Sequence, residues 1–188
     1  MNKIPYGRQV INNNDIEKVV RVLKSDLITQ GPLIIKFEEA LCRYTGSKYA
    51  VALSNGTAAL HLACLAAGIQ KGDEVITSPI TFVASANCAF YCGAKPIFVD
   101  VEPHTGNIDS CFIDRAISHR TKAIIPVHFA GHPCDMRAIH AIARKKGLCI
   151  IEDAAHALGS DYRITKIGSN KYADMTILSF HPVKAITT

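Results

Sequence analysis

No stretch of the 188-residue chain approaches the roughly 18 uninterrupted apolar residues that a membrane span needs. The opening Met1-Asn2-Lys3-Ile4-Pro5-Tyr6 has no hydrophobic signal core either. Both absences predict a cytoplasmic chain with no membrane partner. No Gly-x-Gly-x-x-Gly follows the first expected strand, which removes the main support for a nicotinamide site. Metal spacing is missing too. The sets His128-Phe129-Ala130-Gly131-His132-Pro133-Cys134 and Cys88-Ala89-Phe90-Tyr91-Cys92 match no usual zinc pattern, and they read as a loop with two histidines and a helix face with two buried thiols. The excess of positive charge is small, +5, and scattered, apart from Arg144-Lys145-Lys146 at an expected helix end where cations favour the dipole. A nucleic-acid partner is therefore not expected. There is no internal repeat and no low-complexity tract.

What is present is an ordinary globular composition, 48% hydrophobic and 20% charged, in a chain long enough to bury about 70% of its unfolded surface in one core. Seven irregularly spaced cysteines, mostly inside apolar runs, read as small hydrophobes in a reducing compartment. From residue 50 on, short β-branched runs (Ala50 to Leu53, Glu74 to Thr77, Pro96 to Val99, Lys122 to Val127, Cys149 to Glu152, Met175 to Phe180) alternate with helical-period stretches. Those are Thr57 to Ala67, Phe82 to Cys92, Ser110 to Ile117 and Met136 to Lys146. The alternation predicts an α/β fold with a mostly parallel sheet. Asp135 predicts an N-cap and Gly147 a helix stop. Before residue 50 come two helices without a strand, Asp15 to Lys24 and Leu33 to Tyr44, joined by the loop Ser25 to Pro32. The expected division is an N-terminal helical arm, 1–49, and a cofactor-binding domain, 50–188.

Four places carry chemistry. Ser54-Asn55-Gly56-Thr57-Ala58 follows an expected strand and opens a helix, with Gly56 read as the tight turn, so the site is either a phosphate cradle or an ordinary helix cap. Asp153 ends an apolar strand at the carboxyl edge of the sheet, where α/β folds place ligands, and a buried carboxylate there needs a partner. A protonated pyridine nitrogen is one; an N-cap role for a helix near Ala154 is the other. Strand alternation turns Glu152 the opposite way, so the two carboxylates do not work as an acid–base pair. Lys184 follows the strand Met175 to Phe180, beside Ser179, whose hydroxyl can bind phosphate, and the rigid turn His181-Pro182. It is either a solvated surface charge or a nucleophilic amine. Phe82 either packs in the core or stacks on a planar cofactor. A Schiff-base lysine plus a carboxylate that keeps a pyridine protonated is the requirement of pyridoxal 5'-phosphate chemistry.

With the turn at Gly56, Phe82, Asp153, His156, Ser179 and Lys184 in this order, the chain resembles the N-terminal half of fold-type I pyridoxal phosphate enzymes. Within these it is similar to the DegT/StrS family of sugar-nucleotide aminotransferases. The segments Tyr6-Gly7-Arg8, Leu27 to Pro32, Ser78 to Asn87, His156 to Ser160 and Ser179-Phe180-His181 most resemble the 4-aminotransferases of pseudaminic acid biosynthesis. The resemblance implies that Lys184 forms the Schiff base and shuttles a proton, and that Asp153 binds the pyridine nitrogen. It also implies that Phe82 and Ala155 sandwich the ring, that His156 lies near the ring hydroxyl, and that Gly56, Thr57, Ala58 and Ser179 hold the phosphate. Tyr6 and the loop Asp26, Leu27, Ile28 and Thr29 would approach a UDP-linked 4-keto-6-deoxy amino sugar, with glutamate as the amino donor. Members are much longer and are homodimers, so the resemblance implies a large domain truncated before the small domain. Readings left open are a fragment that only binds cofactor or dimerises, an enzyme acting on another keto sugar nucleotide, and a threonine-aldolase-like lyase.

Overall fold

The computed structural model describes residues 9–187; Tyr6 lies outside the described residues. The chain divides into two compact units, one of residues 1–52 with 180–188, the other Leu53–Ser179.

In the first unit, helix α1 (Asn13–Leu23) begins at Asn12. The Asn12 side chain accepts from the amides of Asn14 and Asp15, and the Asp15 carboxylate accepts from the Asn12 amide at 3.0 Å. This reciprocal capping box starts the helix two residues before the expected Asp15. Helix α2 (Pro32–Thr45) has proline in its first turn and stops at the left-handed Gly46, φ 83°. The Phe37 and Phe180 rings meet edge to face at 5.0 Å. The expected strand Ala50 to Leu53 does not form. Val51 is 74% exposed, and the Ala52 amide donates to Glu38 Oε1 at 2.8 Å. A β-branched run becomes a strand only where a neighbouring backbone accepts its amides.

The second unit runs α3 (Gly56–Ala66), β1 (Glu74–Thr77), α4 (Ala84–Tyr91), β2 (Lys95–Phe98), α5 (Ser110–Ala116), β3 (Thr121–Ile125), α6 (Met136–Lys146), β4 (Cys149–Asp153), β5 (Asp161–Tyr162), β6 (Thr165–Lys166) and β7 (Met175–Ile177). β1, β2, β3, β4 and β7 form a parallel sheet in the order β2-β1-β3-β4-β7. Period-two side chains divide the strand residues between two cores. Val75, Ile125 and Ile151 pack with Leu60 and Cys64 of α3 and Cys88 of α4. Their neighbours Ile76, Ile124 and Ile150 pack with Ile113 of α5 and Met136 and Ile139 of α6. Each such side chain, fully buried, stabilises the fold by about 1.5–3 kcal/mol.

Asp135 caps α6 by accepting from the Ala138 amide, and Gly147 ends it at φ 66°, as expected from the sequence. The antiparallel pair β5–β6 was not expected: its turn uses Arg163 at φ 58°, where glycine or asparagine is the usual signal. Of the cysteines, Cys64, Cys88 and Cys134 are buried, as their apolar neighbourhoods predict, whereas Cys111 is exposed.

Candidate active site

The carboxyl edge of β4 and β7 collects residues from three elements. The Asp153 amide donates to the Pro126 carbonyl at 2.9 Å, and its carbonyl accepts from the His128 amide at 3.1 Å, so the strand's last residue is clamped by the segment after β3. On the other side Asp153 pairs in register with Ile177, and the Ala154 amide donates to the Ile177 carbonyl at 2.9 Å. The Asp153 side chain, 6% exposed, takes two neutral donors: Ser85 Oγ to Oδ2 at 2.6 Å and the Ala155 amide to Oδ1 at 3.2 Å. No helix follows Asp153, so the N-cap alternative falls and the Ala155 contact is an Asx turn. Thr81 Oγ1 lies 2.7 Å from Ser85 Oγ.

Gly56 opens α3 beside the end of β7. A Cβ built on it would lie 3.6 Å from the Ser179 Cβ and 3.9 Å from its Oγ. Its φ is not positive, so the tight turn expected of this glycine is not what requires it; what the structure gives it is close approach to Ser179. Asn55 caps the helix by accepting from the Ala58 amide at 2.8 Å. The Gly56 and Thr57 amides belong to the first turn, which has no intrahelical acceptor. The Ala58 amide is thus already engaged.

Phe82 is 71% exposed, in the turn before α4, which starts at Ala84 and not at Phe82 as the periodicity predicts. Its carbonyl accepts from the Ser85 amide at 3.1 Å, one turn from the Asp153 contact. Ala155 is half-buried and His156 exposed. Gly131 lies under the latter: a Cβ there would meet the His156 carbonyl at 2.8 Å.

Glu152 faces away from Asp153, as alternation predicts. Its Oε2 accepts from Thr176 Oγ1 at 2.6 Å, and its Oε1 lies 3.6 Å from Nε2 of the buried His128. The His128 Nδ1 accepts from the Cys134 amide at 3.2 Å, which leaves the ring proton on the Nε2 that faces Glu152.

Within the first unit, Lys184 is half-buried in a turn where its amide donates to the His181 carbonyl at 2.8 Å. Asp26, Leu27, Ile28 and Thr29 form the exposed loop between α1 and α2, with Ser25 Oγ donating to the Val22 carbonyl at 2.7 Å.

The sequence reading missed Ser85 and Thr81. A serine inside the apolar helix Ala84–Tyr91 was the available signal, since a buried hydroxyl requires a partner. At the opposite, amino edge lies an open depression of about 540 Å³ lined by Gly72, Glu74, Phe90, Lys95 and Arg120. It holds none of the candidate residues. Its Glu74 carboxylate is already matched by Ser118 and Arg120, which hold it below the usual carboxylate range.

Residues 9–188 match the sequence model of the DegT/DnrJ/EryC1/StrS aminotransferase family. The chain belongs to this family. Its relatives include the spore coat polysaccharide biosynthesis protein SpsC of Bacillus subtilis, 44% identical over 185 residues that make 98% of this chain and 47% of SpsC. Helicobacter pylori PseC, an aminotransferase involved in the biosynthesis of pseudoaminic acid, superposes with a TM-score of 0.94 at 35% identity, covering 99% of this chain and 50% of PseC. Spr1654 of Streptococcus pneumoniae, described as a sugar aminotransferase, superposes in its PLP form with a TM-score of 0.94 at 35% identity, covering 99% of this chain and 51% of Spr1654. The chain thus spans about half the length of the relatives it matches. The family's enzymes are pyridoxal phosphate-dependent aminotransferases, and Spr1654 is known in PLP and PMP forms.

Proposed function

We propose that the chain forms the cofactor-binding half of a pyridoxal phosphate-dependent sugar-nucleotide aminotransferase. Its substrate is a UDP-linked 4-keto-6-deoxy amino sugar and its amino donor glutamate, in pseudaminic acid or related surface-glycan biosynthesis. The observation that carries the reading is Asp153: a buried carboxylate at the ligand edge of a parallel sheet, fixed by one hydroxyl and one amide, with lone pairs left for a cationic partner. The names of SpsC and PseC support the sugar class.

When bound, pyridoxal phosphate supplies an electron sink and a carbonyl carbon at which amines exchange. Asp153 keeps a proton on the ring nitrogen through a charge-assisted hydrogen bond worth roughly 1.5–3 kcal/mol. The Gly56 and Thr57 amides and Ser179 Oγ bind the phosphate at the α3 N-terminus, with Ala58 in the same turn. Phe82 and Ala155 flank the ring, and His156 lies near its hydroxyl. Lys184 Nζ would be the covalent anchor and, once displaced by an incoming amine, would carry the proton between the substrate carbon that bears the amine and the cofactor. Tyr6 and the loop Asp26 to Thr29 orient the sugar nucleotide. In this reading 1–49 is an arm and 50–188 the cofactor domain, and the whole enzyme is a cytoplasmic homodimer.

Reducing the chain with borohydride in the presence of pyridoxal phosphate, followed by peptide mass mapping, is expected to place the adduct on Lys184. An adduct elsewhere, or none, overturns the assignment. Offering the full-length enzyme 4-keto and 3-keto sugar nucleotides with glutamate tests the substrate; turnover of the 3-keto compound alone would move it to another sugar class.

A further inference from the structure

We propose that Thr81 and Ser85 form a directional hydroxyl relay that positions Asp153 for the ring nitrogen of the cofactor, an inference that rests on the reading of Asp153 above. Ser85 is fully buried and has one hydroxyl proton to place. Two acceptors are in reach: Asp153 Oδ2 at 2.6 Å and the Phe82 carbonyl at 3.3 Å. An ionised carboxylate only accepts, and 2.6 Å is the length of a strong O–H to carboxylate bond, so the proton goes to Asp153. Ser85 Oγ then has only lone pairs to offer, so Thr81 Oγ1, 2.7 Å away, is the donor to it. The proton order runs Thr81 to Ser85 to Asp153, from a half-buried residue to a buried one.

The Ser85 hydroxyl on Oδ2 and the Ala155 amide on Oδ1 stop the carboxylate from turning about its terminal torsion, so its free lone pairs keep one direction. With Oδ2 and Oδ1 each taking one donor, both oxygens keep a lone pair that can accept from the ring nitrogen. Thr81 is the residue before Phe82, and the Phe82 carbonyl accepts from the Ser85 amide at 3.1 Å. One short segment therefore carries both the exposed ring and the relay. Thr81 and Ser85 act through Asp153 and are positioning residues.

The test uses protein loaded with pyridoxal phosphate and the variants T81V, T81S, S85A and D153A. It reads cofactor Kd, the positions and relative heights of the bound cofactor's visible absorption bands, and thermal unfolding without cofactor. S85A is expected to raise Kd about 5-fold, the loss of one net hydrogen bond, and to shift the bands. T81V, close in shape and lacking the hydroxyl, is expected to shift the bands the same way by less with only a small loss of cofactor-free stability, and T81S to keep the wild-type spectrum. Wild-type Kd and spectrum in both T81V and S85A, with cofactor binding lost in D153A, would overturn the relay and leave the Asp153 reading standing. Wild-type behaviour of D153A itself would overturn both.

Discussion

Glu152 and Asp153 are consecutive, both buried, and meet opposite chemistry. Glu152 receives a hydroxyl from Thr176, its register partner on β7, and faces the His128 ring across 3.6 Å. Asp153 takes a hydroxyl from a helix and an amide from a turn, both neutral. Burial alone therefore does not distinguish the two carboxylates. The distinction lies in the face each side chain takes: Glu152 turns to the Thr176 hydroxyl, with the His128 ring 3.6 Å off, whereas Asp153 turns to the α4 side, where a hydroxyl and an amide orient it at the carboxyl edge at which α/β folds place ligands. Glu74, at the other edge, is a third case, a carboxylate given both a hydroxyl and a guanidinium by the fold.

The comparison breaks most visibly at Asp153. D153A is expected to weaken pyridoxal phosphate binding about 10- to 150-fold, the loss of a charge-assisted bond of roughly 1.5–3 kcal/mol, and to lower cofactor-free stability as well, because the Ser85 hydroxyl and the Ala155 amide lose their acceptor. Absorbance titration with cofactor measures it, and an affinity equal to wild type would end the distinction drawn between the two carboxylates. E152A should change stability alone: about 1 kcal/mol less stable in denaturant, because the Thr176 hydroxyl loses one of its two acceptors, Asn170 Oδ1 being the other, with cofactor affinity retained. T176V, which removes only the hydroxyl, is expected to cost about 1 kcal/mol in the same unfolding experiment.

A smaller effect appears with pH. The Ser118 hydroxyl first, and Arg120 second, hold the Glu74 carboxyl below its ordinary range. A lowered folded-state value means stabilisation that is present above the ordinary glutamate value of about 4.3 and is lost as pH falls through the folded one. The stability gap between wild type and E74Q should thus narrow as unfolding is measured from pH 5 down toward pH 3. A gap independent of pH would show that neither the Ser118 hydroxyl nor Arg120, half exposed to water, favours the ionised Glu74.

Most of the sheet was legible because its strands are short apolar runs and β1, β2 and β3 are each followed by a helical stretch, with clear boundary signals for α6 at Asp135 and Gly147. The face of Glu152 was legible from period two alone. The failures share a cause: they depend on what a segment meets, which composition does not encode. Ala50 to Leu53 has strand residues and no strand, since the Ala52 amide is taken by Glu38. The β5–β6 pair turns on an arginine in a left-handed conformation. Ser85 was hidden by its helix, because only the fold brings residue 85 to residue 153. The cap at Asn55 could have been paired with Ala58 beforehand, and doing so would have shown that this amide has a structural partner.

The split of Ile150 and Ile151 between two cores gives the site a parity rule. A one-residue slip of β4 against its neighbours would exchange the faces of Glu152 and Asp153 along with every side chain before them, leaving composition unchanged and turning Asp153 to the face packed by α5 and α6. The turn around Arg163, which joins β5 to β6 outside the parallel sheet, can by contrast lengthen without altering where Asp153 points.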